Sequence, residues 1–282
     1  MKKALNAWSV NGNDSFAEMF ENVKTAGFAA IELNLDNVGH SAHSLTMETT
    51  KEELETIAKQ AKDAGLEIVG VSCSMYTGQL GSLDASVREA GKELVRKQLF
   101  LAKHLGADNI LVPPGADIAG GDSIKKAYEM VEQSLTELKP EIEESGVCVA
   151  LENIWNGFFT SPFDMARMVD KLDSPYIKAY YDVGNTVAFS DTVSWIEILE
   201  NRINRIHIKG FKCNGGEFGR LNTGGDFCDL PDSDIDWKAV MAMLKQVGYD
   251  GYITGEVFPN KEYATDMDFY KEVSGWMDDI IG

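Results

Sequence analysis

Short runs of mostly apolar residues recur along the chain, and most of them follow a helix-like segment that ends in glycine. Five such junctions stand at Ala26-Gly27-Phe28, Ala64-Gly65-Leu66, Leu105-Gly106-Ala107, Ser145-Gly146-Val147 and Val247-Gly248-Tyr249. Glycine is favoured at the left-handed position that ends many helices. Two weaker junctions, Asp173-Ser174-Pro175 and Glu200-Asn201-Arg202, fill the long interval before the last one. The pattern predicts a unit of one strand and one helix that is repeated eight times.

The apolar runs are typical of strands buried on both faces of a parallel sheet. We predict strands at roughly 4–10, 29–35, 67–73, 109–113, 147–153, 177–183, 203–209 and 251–257. Helix starts are indicated by capping boxes at Thr50-Lys51-Glu52-Glu53 and Ser86-Val87-Arg88-Glu89, and by the cap residue and proline of Ser161-Pro162.

Eight strands alternating with eight helices favour an α/β fold, a single (β/α)8 TIM barrel over residues 1–282. An open doubly wound sheet is the alternative. The turn after the first strand, Val10-Asn11-Gly12-Asn13, lacks the glycine-rich dinucleotide motif that often accompanies that fold. The longest stretch without an apolar run, residues 210–235, follows the seventh predicted strand. We expect it to be an irregular lid over the active face or a tolerated surface insertion.

The charge balance narrows the range of partners. Lysine and arginine number 26 against 45 aspartate and glutamate residues, which gives a formal net charge of −19. Nucleic-acid binding depends on cationic contacts to phosphates, so no nucleic-acid partner is expected. No segment has the apolar length of a membrane span, and Met1-Lys2-Lys3 leads into no signal-peptide core. With four dispersed cysteines, the expectation is a cytoplasmic protein with reduced thiols.

Ionisable residues interrupt four consecutive apolar runs close to their carboxyl ends. They are Glu152, Asp182, His207 and Glu256. Barrel enzymes carry their chemistry at this end of the strands. Buried carboxylates repel one another unless they are neutralised, and three of them beside one imidazole suit one divalent metal ion, Mn²⁺ or Mg²⁺, with Zn²⁺ or Co²⁺ as further candidates. A hydrogen-bonded carboxylate–histidine network without metal is the alternative.

Several other residues are predicted to contact a small-molecule substrate. Lys209 lies two residues beyond His207 and therefore on the same side of the strand, where it reaches a substrate oxygen or pairs with a carboxylate. His43 follows the second strand, and Trp155 follows the fifth, where it could form a pocket wall or pack in the core.

These residues stand in fragments that resemble the xylose-isomerase-like barrel superfamily of sugar and sugar-phosphate isomerases and epimerases. The fragments are Ala150-Leu-Glu-Asn153, Tyr181-Asp-Val-Gly-Asn185, His207-Ile-Lys209, Asp236-Trp237, Gly248-Tyr-Asp-Gly251 and Gly255-Glu-Val257. Asn185 completes the Asp-x-Gly-Asn form seen in L-ribulose- and L-xylulose-5-phosphate 3-epimerases, and we include it among the substrate contacts. Free-ketose epimerases more often carry histidine there and a second glutamate soon after the fifth strand, where this chain reads Ile154-Trp-Asn-Gly-Phe-Phe.

The resemblance implies a metal-dependent epimerase of a ketose or ketose phosphate, with Glu152, Asp182, His207 and Glu256 as metal ligands. Epimerisation beside a carbonyl requires that a C–H proton be removed and another returned on the opposite face, which nominates Glu152 and Glu256 as the acid–base pair. Barrels often bind phosphate after strands seven and eight, where Lys209, Lys212 and Arg220 lie. These cations could equally serve solubility or ion pairing.

Other functions remain open on the same scaffold. An aldose–ketose isomerase or an inosose-type polyol dehydratase would use a similar site, and a sugar-binding or inactive barrel is the non-enzymatic alternative. A DNA-repair endonuclease of this fold would need more than four histidines and a basic surface. A homo-oligomer is expected from the resemblance alone.

Overall fold

Eight parallel strands close into one barrel in the computed structural model, which describes residues 1–76, 79–215 and 224–282. The barrel strands are β1 (Lys2–Asn6), β2 (Ala30–Leu35), β3 (Glu67–Cys73), β4 (Asn109–Val112), β5 (Cys148–Glu152), β6 (Ile177–Asp182), β7 (Ile203–Ile208) and β10 (Tyr252–Gly255), and β8 (Gly210–Cys213) and β9 (Gly225–Cys228) form a separate two-stranded sheet. Around the barrel the order is β1-β10-β7-β6-β5-β4-β3-β2. The prediction of a TIM barrel is confirmed.

In the described part of the chain, eight α-helices connect and surround the barrel strands. They are α1 (Phe16–Thr25), α2 (Lys51–Asp63), α3 (Ala85–Leu105), α4 (Ile124–Ser145), α5 (Pro162–Leu172), α6 (Thr192–Leu199), α7 (Trp237–Gln246) and α8 (Asp266–Ile281). The capping box at Thr50 and the Ser161-Pro162 start are confirmed. The box predicted at Ser86 is wrong, because Asp84 caps α3 and accepts a hydrogen bond from the backbone N–H of Ser86. No described helix is long and apolar enough to cross a membrane.

The predicted junction glycines hold the backbone conformation that ends a helix. All five have positive φ angles: Gly27, Gly65, Gly106, Gly146 and Gly248. The two weaker junctions contain no glycine, yet Asp173 (φ 45°) and Glu200 (φ 47°) also have positive φ. Side chains with a Cβ are strained there, so the chain accepts local strain to return to the barrel at these two points.

Most predicted strand boundaries agree with the structure within two residues, and two regions differ by more. The first strand was expected at 4–10, but β1 ends at Asn6, whose side chain accepts a hydrogen bond from the backbone N–H of Trp8 and starts a short 3-10 turn. Residues 210–235 were expected to be irregular, whereas their described part contains the antiparallel pair of β8 and β9. This hairpin follows β7 and lies at the carboxyl end of the barrel.

Candidate active site

The four ionisable residues predicted from the strand ends converge at one end of the barrel. Glu152 and Asp182 are the last residues of β5 and β6, His207 is the penultimate residue of β7, and Glu256 directly follows β10. These strands are neighbours in the barrel, and Asp182 lies level with His207 in the β6–β7 register. Parallel strands present their carboxyl ends at the same edge, so the fold brings the four side chains together.

The imidazole of His207 is the centre of the cluster. Its Nδ1 lies 3.3 Å from Glu152 Oε1, 3.9 Å from Glu256 Oε2 and 4.0 Å from Asp182 Oδ2. Ligand atoms of Glu152, Asp182 and His207 all lie within 4.8 Å of one another, and all three residues are buried. Glu256 is the most exposed of the four, with 12% of its side chain accessible.

Lys209 pairs with two of these carboxylates. Its Nζ lies 2.5 Å from Glu256 Oε2 and 2.9 Å from Asp182 Oδ2. Burial lowers the pKa of Lys209, but the charges of Asp182 and Glu256 outweigh this effect, so the pKa lies above its usual range. Lys209 is therefore a partly buried, positively charged neighbour of the cluster and pairs with carboxylates, which is one of its two predicted roles.

Burial disfavours the ionised forms of Glu152 and Asp182, and the neighbouring cations offset this effect only in part. Desolvation raises the pKa of Glu152 to about 7, against the opposing effect of His207, and desolvation also raises the pKa of Asp182. Asp182 Oδ2 is fully buried and accepts no well-directed hydrogen bond from a described residue. Three carboxylates and one imidazole are a donor set that divalent cations bind. The residues present fit such an ion.

An interlocked pair of asparagines holds the ends of β5 and β6 together. Asn153 donates from Nδ2 to the carbonyl oxygen of Asp182 (2.8 Å), and the backbone N–H of Asp182 donates to Asn153 Oδ1 (2.9 Å). Asn185 donates from Nδ2 to the carbonyl oxygen of Asn153 (3.0 Å) and from its backbone to Asp182 Oδ1 (3.0 Å). The amide nitrogen of Asn185, predicted to contact substrate, is thus engaged in the framework.

Aromatic side chains border the cluster on the side of the β8–β9 hairpin. Trp155 donates from Nε1 to the carbonyl oxygen of Asn185 (2.7 Å) and stacks on Phe227 with ring centroids 5.2 Å apart. A cavity of about 240 Å³ lies beside Lys209 and Glu256 and is walled by Phe227 and Phe258. Sites for small molecules commonly occupy about 300–1,000 Å³, so this cavity suits a compact ligand.

Two further predicted substrate contacts receive no support from the geometry. His43 is buried, and its ring nitrogens lie 2.8 Å and 3.2 Å from the backbone oxygens of Asp14 and Ala7, so neither nitrogen is open to a ligand. Arg220 lies outside the described residues. Its predicted contact with a phosphate stays a prediction.

Glu32, which the sequence analysis did not select, is in direct contact with the cluster. Its Oε2 lies 2.7 Å from His207 Nε2. Burial works to lower the pKa of His207, but the charge of Glu32 and hydrogen bonds with Glu152 and Glu32 outweigh it, so this pKa is well above the ordinary value. The signal was available, because Glu32 is the one ionisable residue in the apolar run of β2, but it stands in the middle of the strand and not at its end.

Comparison with known proteins identifies the family. The family model described as "Xylose isomerase-like TIM barrel" matches residues 20–273. The chain belongs to the xylose isomerase-like TIM barrel family. L-ribulose-5-phosphate 3-epimerase UlaE of Salmonella paratyphi C is 22% identical over 242 residues, which cover 84% of this chain and 80% of that protein.

Solved structures of sugar epimerases share the fold. A structure of L-ribulose 3-epimerase superposes with a TM-score of 0.78 at 17% identity, covering 99% of this chain and 94% of that chain. D-psicose 3-epimerase from Clostridium cellulolyticum H10 gives a TM-score of 0.78 at 16% identity, covering 99% and 98% of the two chains. The resemblance stated from the sequence is confirmed, and the relatives agree with the predicted class, a carbohydrate isomerase or epimerase.

Proposed function

We propose that this xylose isomerase-like barrel is a divalent-metal-dependent epimerase that inverts a ketose at the carbon beside its carbonyl group. The observation that carries the proposal is the cluster of three carboxylates, two of them buried, around His207 at the carboxyl end of the barrel strands. The names of the relatives, L-ribulose-5-phosphate 3-epimerase among them, supply the reaction class.

The ion would be held by His207 Nδ1 and by the surrounding carboxylates of Glu152, Asp182 and Glu256. A bound divalent ion supplies positive charge for the substrate oxygens on which negative charge develops when the neighbouring C–H proton leaves. Lys209 Nζ, 2.5 Å from Glu256 Oε2, places one positive charge beside that carboxylate and the adjacent cavity. Phe227 and Phe258 form apolar walls of the same cavity.

Glu152 and Glu256 would exchange the protons. They are carried by β5 and β10, the outer two of the four neighbouring strands, and so approach a substrate from different sides. The ionised glutamate takes the C–H proton, and the electron pair of the broken C–H bond moves into the enediolate of the substrate. The protonated glutamate returns a proton to the opposite face of the same carbon. One turnover therefore exchanges the protonation states of the two glutamates and requires no oxidant or reductant.

The substrate's phosphate group is a separate question. Of the cations predicted to bind phosphate, Lys209 pairs with Asp182 and Glu256, and Lys212 lies 2.9 Å from Asp234 Oδ1. Arg220 is the third predicted contact. L-ribulose 5-phosphate is the first substrate to assay because a relative is named for it, and unphosphorylated L-ribulose is the matched comparison. Arg220→Ala is expected to raise KM for the phosphorylated ketose alone; equal changes in both KM values would remove Arg220 from phosphate recognition.

The decisive experiment combines metal analysis with proton exchange. Purified wild-type protein is expected to hold about one divalent ion per chain, and His207→Ala is expected to lose it. With wild type in D₂O, both epimers of the ketose should acquire deuterium at the inverted carbon. Glu152→Gln and Glu256→Gln should each stop epimerisation. Each variant should still exchange the proton of one epimer for deuterium, and the epimer that exchanges should differ between the two variants.

Three outcomes would contradict the proposal. Wild type that binds no Mn²⁺, Mg²⁺, Zn²⁺ or Co²⁺ would remove the metal site. An aldose product would indicate an isomerase, and a dehydrated product would indicate a polyol dehydratase.

A further inference from the structure

We infer that Glu32 is a positioning residue that keeps the proton of His207 on Nε2 and thereby directs the Nδ1 lone pair towards the metal ion. This inference rests on the metal site proposed above. Glu32 touches neither the cavity nor the proposed acid–base pair, and it would act only through the imidazole.

The contact crosses the interior of the barrel. Glu32 is in β2 and His207 in β7, and two strands, β1 and β10, separate them in the sheet. Nevertheless Glu32 Oε2 lies 2.7 Å from His207 Nε2, with only 1% of each side chain accessible. A carboxylate in this position is costly to bury unless it is hydrogen-bonded on all sides, so its presence calls for a specific reason.

The direction of each hydrogen bond around Glu32 follows from its partners. The backbone N–H of Trp8 can only donate, and it donates to Asn6 Oδ1 (2.9 Å). The amide nitrogen of Asn6 therefore faces Glu32 Oε2 and donates to it (2.8 Å). Tyr180 donates its hydroxyl to Glu32 Oε1 (3.0 Å). Both carboxylate oxygens act as acceptors.

The same logic fixes the proton on His207. An ionised carboxylate has no proton to donate, so the hydrogen bond at 2.7 Å requires a proton on His207 Nε2. With a divalent ion at the other ring nitrogen, the remaining ring proton would stay on Nε2, hydrogen-bonded to Glu32. His207 Nδ1, which faces Glu152, Asp182 and Glu256, then offers its lone pair to the ion.

The surrounding strands are shaped around this pair. A Cβ on Gly70 in β3 would lie 3.0 Å from Glu32 Oε1, so a residue without a side chain leaves room for the carboxylate. Tyr180 packs against the His207 ring at a centroid distance of 4.4 Å while its hydroxyl reaches Glu32. The ring is therefore held both on its face and at Nε2.

Three variants separate positioning from general stability. Glu32→Leu removes the acceptor, Glu32→Gln retains a carbonyl acceptor without the charge, and Tyr180→Phe keeps the ring against His207 but removes one donor to Glu32. Zn²⁺ affinity of the metal-free proteins is measured by competition with a chromophoric chelator. We expect about 10–100-fold weaker binding for Glu32→Leu, as is usual when such a partner of a metal-bound histidine is lost. Glu32→Gln should recover most of this loss, and Tyr180→Phe should stay near wild type.

A spectroscopic measurement on wild type makes the test independent of variant folding. In ¹⁵N-histidine-labelled, Zn²⁺-loaded protein, His207 should show a protonated Nε2 and a metal-bound Nδ1. A protonated Nδ1, or equal Zn²⁺ affinities of wild type and a folded Glu32→Leu, would overturn the inference and leave the metal site intact. Wild type without Zn²⁺ affinity would instead overturn the proposed function, and this inference with it.

Discussion

Asp36 and Asp182 are both buried aspartates at the carboxyl ends of barrel strands, but their surroundings differ. Asp36 follows β2 and is 2% exposed. It accepts hydrogen bonds from Trp8 Nε1 at 3.2 Å, Ser44 Oγ at 3.1 Å and Ser74 Oγ at 2.5 Å. Asp182 ends β6, and its Oδ2 has the ammonium group of Lys209 at 2.9 Å but no well-directed donor among the described residues.

The difference separates a framework carboxylate from one that is arranged for a cation. Neutral donors compensate the desolvation of Asp36 within the protein itself. Asp182 shares its environment with Glu152 and Glu256, and only charged groups can compensate so many carboxylates. Position at a strand end therefore does not by itself indicate function. The more informative feature is whether neutral donors or charged groups surround the carboxylate.

The largest effect is expected from the proposed acid–base pair. Glu152→Gln and Glu256→Gln should each lower kcat about 10²–10⁴-fold, because a positioned acid or base contributes about that much to proton transfer. Steady-state kinetics with saturating metal measure this effect. Glu272→Gln is the control, since Glu272 pairs with Lys261 on the surface and should keep the wild-type kcat. Full turnover in either cluster variant would refute the assignment.

Metal binding should stabilise the protein through Asp182 and not through Asp36. At a metal concentration 100 times Kd, the free energy of unfolding of wild type should rise by about 2.7 kcal/mol. Asp182→Asn should abolish this gain, whereas Asp36→Asn should retain it. Urea denaturation with and without metal measures both. A comparable loss in the two variants would end the distinction between the two aspartates.

Without metal, Asp36→Asn should lower the free energy of unfolding more than Asp182→Asn does. Asp36→Asn turns an amide nitrogen towards donors and should lower the free energy of unfolding by about 1–3 kcal/mol, the cost of unsatisfied buried groups. Asp182→Asn relieves the repulsion between the buried carboxylates of Asp182 and Glu256 and should cost less. Urea denaturation of the metal-free proteins gives the comparison. A tenfold lower kcat in folded Asp36→Asn would place Asp36 in the active site after all.

The smallest effect is expected at Lys212, on the hairpin. Its side chain is 59% exposed and pairs with Asp234, and such surface pairs contribute about 0–1 kcal/mol. Lys212→Ala should change the KM for L-ribulose 5-phosphate less than twofold. A change as large as that of Arg220→Ala would give Lys212 a share in phosphate binding.

Local sequence patterns predicted correctly most features that depend on a single helix or strand. The junction glycines predicted the helix ends, and the ends of the apolar runs predicted where Glu152, Asp182 and His207 lie. Ser86 shows the limit of the same reasoning, because Asp84 stands two residues earlier and competes for the backbone N–H that a cap must satisfy. Asn153 was quoted as part of a motif, but its role in holding Asp182 required the β5–β6 pairing.

The sequence by itself determined the repeated strand–helix unit, the closed barrel and the edge at which the ionisable residues gather. Strand period, helix caps and the parallel arrangement are local consequences of backbone geometry. Only the tertiary structure decided that Glu32 reaches His207, because the two residues are 175 positions apart and meet across the barrel interior. It also decided that Asp36 is surrounded by neutral donors, whereas Asp182 lies beside Lys209 and other carboxylates, since the groups around a buried carboxylate come from strands and loops distant in sequence.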